Sequence, residues 1–159
     1  MAIQGFIKID GIDGESTDKE HKNWIEVIAF THDLNQPVSA ASATGGRSAA
    51  GIMISDFVFH NYMDAATPTL NVACCEGRHI DKAVLELCKA SGDKHAYMKY
   101  TFENIIISSC DIQSGGEKPV EEVRLNFGKI TWEYTPIDSK GKPQSPKRTG
   151  WTREDNALV

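Results

Sequence analysis

One run of helix signals stands in a chain that otherwise alternates like β-strand, and this imbalance limits the fold more than any other feature. The run is Thr67-Pro68-Thr69-Leu70-Asn71-Val72-Ala73-Cys74-Cys75-Glu76-Gly77-Arg78-His79. Thr67 is expected to cap a helix whose first residue is Pro68, where the missing N–H is harmless. Leu70, Ala73 and Cys74 then share a face, and Gly77 is placed to stop the helix in the left-handed conformation. One short helix among many strands predicts an element that plugs or braces a β-barrel.

Strand signals fill the rest. Gln4–Asp10 alternates and ends at the turn Asp10-Gly11-Ile12-Asp13-Gly14. Glu15–Lys22 reads as a polar connector. Trp24–His32 is apolar at both parities, so it is expected to need cover on both faces, from its own core and from either the helix or a neighbouring chain. Residues 35–51 are rich in Ser, Ala, Thr and Gly with one arginine, and are expected to be a long extended loop without regular structure. Ile52–Tyr62, Lys82–Ala90 and His95–Cys110 return to strand, and Gly115-Gly116 makes a turn. Val123, Leu125 and Phe127 share one parity, whereas Ile130, Trp132 and Tyr134 share the other. The change falls at Gly128, read here as a β-bulge. From Pro136 the chain is expected to be an extended tail anchored by Trp151. The reading is mainly β: an antiparallel barrel or two packed sheets with one short helix, as a single domain over 1–159.

Composition removes several function classes. The 159 residues carry a formal net charge of −5, which argues against general nucleic-acid or anionic-membrane binding. No apolar run approaches a bilayer span, and Met1–Phe6 lacks the basic start and apolar core of a signal peptide. A cytoplasm-like compartment is therefore expected. Cysteines stand at 74, 75, 88 and 110. Cys74, Cys75 and His79 are the sharpest zinc idea, but they lack the Cys-x-x-Cys pairs of structural sites. Small buried thiols are the favoured reading, and no metal or cofactor is expected.

Catalytic frames are also missing. None of the five histidines, at 21, 32, 60, 79 and 95, has a nucleophile in a local frame such as Gly-x-Ser-x-Gly. Gly45–Gly51 lacks the Lys-Ser/Thr ending of a phosphate loop and precedes a strand. Asp10–Glu15 misses the calcium-loop spacing. Lys140, Lys142, Lys147 and Arg148 are read as solvating the tail. No enzyme is expected.

Several stretches together resemble one family. They are Phe6–Ser16, Asp64–Leu70, Ala73–His79, Val123–Ile130 and Lys147–Trp151, in order along nearly the whole chain. They resemble the haemolysin-coregulated protein (Hcp) family, the tube subunit of bacterial type VI secretion. The resemblance implies a β-barrel with a flanking helix, related in architecture to phage tail-tube proteins. It implies hexameric rings that stack into a hollow tube. A contractile sheath drives that tube out of the cell from the cytoplasm, with a spike protein at its tip. Some family members carry small effector proteins in the lumen. Thr31 falls at a position that looks lumen-facing, with His32 as the alternative. Ser42, Thr44, Gly45, Gly46, Arg47 and Ser48 fall in the family's extended loop toward an adjacent subunit or ring. Thr67, Pro68, Gly77 and Gly128 are assigned structural roles. A ring serving mainly as carrier and a monomeric ligand-binding barrel are the alternatives.

Overall fold

The structure, a computed structural model, describes residues 3–39, 46–90 and 94–159. Eleven strands and one helix follow in the order β1 (Ile3–Ile9), β2 (Ile25–Val27), β3 (Ala29–Thr31), β4 (Leu34–Asn35), β5 (Met53–Ile54), β6 (Phe57–Tyr62), α1 (Thr67–Glu76), β7 (His79–Lys89), β8 (Ala96–Gln113), β9 (Val120–Tyr134), β10 (Lys147–Thr152) and β11 (Ala157–Leu158). All pairings between strands are antiparallel. The main sheet runs β11-β10-β9-β8-β7-β1-β2, and β6 branches from β9 to carry β3. The path has free ends, so the fold is a set of packed sheets rather than a closed barrel. Phe57, Phe59, Phe102 and Phe127 fill its centre with Ile7, Ile25, Leu85, Ile105 and Leu125, all essentially inaccessible. Phe57 and Phe102 meet with ring centroids 4.7 Å apart, a tilted contact that adds to the apolar burial.

The two-sided strand has an internal explanation. Ile25 and Val27 face the core from β2, which pairs with β1; Phe30 faces it from β3, which pairs with β6. Between them Ile28 donates its N–H to the His60 carbonyl at 2.7 Å. The segment therefore changes partner and parity together, as at the corner of packed sheets. Of the residues expected to need outside cover, Ile28 is left half exposed, at 49%.

The parity change in β9 is real, but no bulge accompanies it. Glu103↔Lys129 and Ile105↔Phe127 keep one register across Gly128. In β8 the buried side chains also switch parity, from Phe102 to Ile105, and in β7 from Ile80 to Ala83. Asp81, Asn104 and Gly128 thus lie in line, a crease across three strands. Asn104 takes the left-handed conformation there, φ 54°. A Cβ on Gly128 would stand 3.0 Å from Asn104 Nδ2 and 3.1 Å from Glu154 Oε1. Glycine is favoured by this close approach, not by an inserted residue. The ladder irregularity of β8 and β9 falls instead between Ile107 and Ser109. Arg153 straps the crease, donating its N–H to the Gly128 carbonyl at 2.7 Å and its guanidinium to the Phe127 carbonyl at 3.2 Å.

The C-terminal stretch is extended but not loose. After a turn at Asp138–Lys142, β10 pairs with β9 along its length, and Trp151 packs against the core.

Candidate functional site

The described residues from Leu34 to Ser39 and from Gly46 to Ile54 run alongside each other as an arm. Leu34↔Ile54 and Asn35↔Met53 open a two-stranded ribbon separate from the main sheet, and a bridge between Val38 and Ala49 continues it. Ser39 and Ser48 close the ribbon: Ser39 N–H donates to the Ser48 carbonyl at 3.0 Å, and Ser48 N–H to Ser39 Oγ at 3.1 Å. Gly51 N–H reaches the Gln36 side-chain carbonyl at 2.9 Å. Between β4 and β5 the described residues hold no further strand, and Ser side chains and backbone supply the few cross-links. Leu34, Val38 and Met53 are exposed by half or more, at 50%, 58% and 61%. Gly46, Arg47 and Ser48 are exposed on the returning strand of the arm, whereas Ser42, Thr44 and Gly45 lie outside the described residues. Thr31, at the end of β3 and opposite Val58, is exposed three residues before the arm begins. His32 turns the other way, its ring centroid 5.8 Å from that of Phe127 and 6.3 Å from that of Phe57. Burial there holds its imidazole below the ordinary value.

The helix residues gather elsewhere. Thr67 is the first helical residue, with Ala66 at the cap position and no side-chain cap bond from it. Thr67 Oγ1 instead accepts from the Asp64 N–H and donates to Glu121 Oε2, each at 3.1 Å. Asp64 braces the approach to the helix, accepting the Ala66 N–H at 2.9 Å, and burial raises its carboxyl above its ordinary value. Glu121 is wholly buried and also accepts from Asn61 Nδ2 at 3.1 Å. Pro68 stands in the first turn, and Gly77 ends the helix at φ 59°, where its N–H and that of Arg78 meet the Cys74 and Ala73 carbonyls. Cys75 and His79 are exposed, and the zinc idea on Cys74, Cys75 and His79 finds no such cluster among the described residues.

A second polar cluster was invisible in the sequence. The connector before β2 folds so that His21 is only 2% exposed. Its Nδ1 meets Asp18 Oδ2 at 2.8 Å and its Nε2 meets Glu86 Oε2 at 2.7 Å. Phe6 stacks on the ring and Trp24 meets it edge-on. Lys94 binds Asp18 from the outside, and with His21 it lowers the Asp18 carboxyl to about 2. The Asp-x-x-His spacing was the one local hint; Glu86 comes from β7, 65 residues later.

Known proteins can now be set beside this geometry. Residues 6–134 match the family described as type VI secretion system effector, Hcp. Protein hcp1 of Pseudomonas aeruginosa is 36% identical over 160 residues, covering 98% of each chain. A solved type six secretion system protein superposes with a TM-score of 0.94 at 33% identity, over 99% of this chain and 100% of its own. Hcp1 from Salmonella typhimurium follows at 0.83 and 32%, covering 100% of both chains. The packed antiparallel sheets with one helix are thus those of a type VI secretion protein. This chain belongs to the Hcp family.

Proposed function

We propose that this chain is a non-catalytic tube subunit, assembling as hexameric rings that stack into the hollow inner tube of a type VI secretion system. The arm carries this reading. It pairs only with itself, yet presents Leu34, Val38 and Met53 to solvent beside Thr31. Apolar side chains on a projecting ribbon are suited to burial against a second copy. Residues 42–48 make the inter-subunit or inter-ring contact, and Thr31 faces the lumen. The tube waits in the cytoplasm until a contractile sheath expels it behind a spike protein, and small effector proteins ride in the lumen. The filled aromatic centre disfavours a monomeric ligand-binding barrel, since the volume that would hold a ligand is occupied by Phe57, Phe59, Phe102 and Phe127.

Light scattering and negative-stain imaging of the purified chain test the proposal together. A six-subunit mass with annular particles is expected, and a stable monomer at high concentration would overturn it. Deleting residues 42–48 should leave folded rings but weaken stacking; normal tubes from that deletion would remove the arm from the contact. Co-purification and protease protection of a candidate cargo measure the carrier role.

A further inference from the structure

The His21 cluster sits at the floor of a surface hollow lined by Asp18, Glu86, Lys94 and His95. It contains one group not yet used: Cys88, wholly buried, with its Sγ 3.9 Å from His21 Nε2. His21 Nε2, a Glu86 carboxylate oxygen and Cys88 Sγ all lie within 4.8 Å of one another. We propose that these three atoms form a binding site for a divalent cation of the zinc class. Two observations converge on it.

First, the donor set is right. Imidazole, thiolate and carboxylate are the three side-chain ligands that such an ion takes, with water completing the tetrahedron. Second, the imidazole is oriented from behind. Asp18 holds Nδ1 at 2.8 Å, which directs Nε2 toward Glu86 and Cys88. A carboxylate behind the far nitrogen is how metal-binding histidines are commonly fixed. Nε2 stands 2.7 Å from a Glu86 carboxylate oxygen, a separation that a proton or a cation must bridge. Cys88 would bind as the thiolate, its proton passing to water.

Two of the three spacings are near those that a tetrahedral ion requires. A tetrahedral ion needs about 3.3 Å between nitrogen and oxygen, and about 3.6 Å between nitrogen and sulfur. The Glu86 oxygen must swing away by roughly half an ångström and the thiol close by a few tenths. Glu86 has the freedom to do so, since its side chain is 20% exposed at the mouth of the hollow.

Cobalt(II) titration of the purified full-length chain tests this, because a thiolate bound to cobalt absorbs in the near ultraviolet. The native protein should develop that band and release cobalt to added zinc. Cys88→Ser should abolish the band, Glu86→Gln should weaken binding at least about tenfold, and Asp18→Asn by about 10- to 100-fold. Cys75→Ser, on the exposed face of α1, should leave the band intact. Circular dichroism confirms folding of each variant, and Glu86→Gln decides the matter if Cys88→Ser does not fold. No band from the native chain at millimolar cobalt overturns the site. So does a band that survives Cys88→Ser, or an affinity unchanged in Glu86→Gln.

Discussion

The creased centre of the sheet and the arm at 34–54 are built from the same element, the antiparallel strand, but they are held by different forces. At the crease, Phe102, Ile105, Phe127 and Ile130 are buried on both sides of the fault, and Arg153 and Asn104 tie the backbone around it. Every residue there is fixed by several others, so packing leaves one arrangement. Among the described residues the arm is held by its short ladder, the Ser39–Ser48 bonds and the Gly51–Gln36 bond, and Leu34, Val38 and Met53 are exposed. Changes in the first region should be read out in folding, and changes in the second in association.

Removing an aromatic side chain from the centre should have the largest effect. Phe57→Ala is expected to lower unfolding free energy by about 3–5 kcal/mol through lost burial and the cavity left behind. Urea denaturation measures it; a loss below roughly 1 kcal/mol would show that the centre collapses freely and is less determined than it looks. Gly128→Val should follow, at about 1–3 kcal/mol, since its side chain must displace Asn104 and Glu154. An unchanged melting temperature would remove the crease from the account of stability. Thr67→Val leaves the buried Glu121 with one fewer donor and should cost a similar or smaller amount, about 1–3 kcal/mol.

Acid should act on the folded body in two stages. His32 is held below its ordinary 6.5 by burial, so the unfolded chain binds more protons there. Its contribution is present above pH 6.5 and is lost as pH falls through its folded value. Asp18, lowered to about 2 from 3.8, contributes above pH 3.8 and loses that contribution as pH falls toward 2. Melting temperature against pH should show both declines, and His32→Phe should erase the upper one alone. The arm gives the smallest stability effect. Val38→Ser and Met53→Ser should shift unfolding by no more than about 0.5 kcal/mol while weakening ring association in sedimentation. A large loss of stability with association unchanged would reverse the contrast between the two regions.

Much of the body was legible in advance because its signals are local. Pro68 and Gly77 mark the ends of the helix, and strand alternation identified β1, β6, β8 and β9 along with most of their core residues. Even the parity change at Gly128 was readable. Its meaning was not: an inserted residue and a crease give the same apolar pattern, and they differ only in the register of β8, which no local window contains. The two-sided run at Trp24–His32 misled for the same reason, since a strand that changes partners looks like a strand buried on both faces. Thr67 falls inside the helix rather than at its cap because Ala66 takes that position, braced by Asp64 three residues before the run.

By itself, then, the sequence determined what short-range sterics and alternation can encode: a mainly β chain, one helix with its stop at Gly77, and motifs specific enough to resemble the Hcp family. Tertiary structure decided which distant groups meet. It set Glu86 and Cys88 against His21, buried Glu121 beneath Thr67, and left the arm pairing with itself. Each of these depends on strand register, which sums contacts over the whole sheet and is therefore fixed only when the sheet has formed.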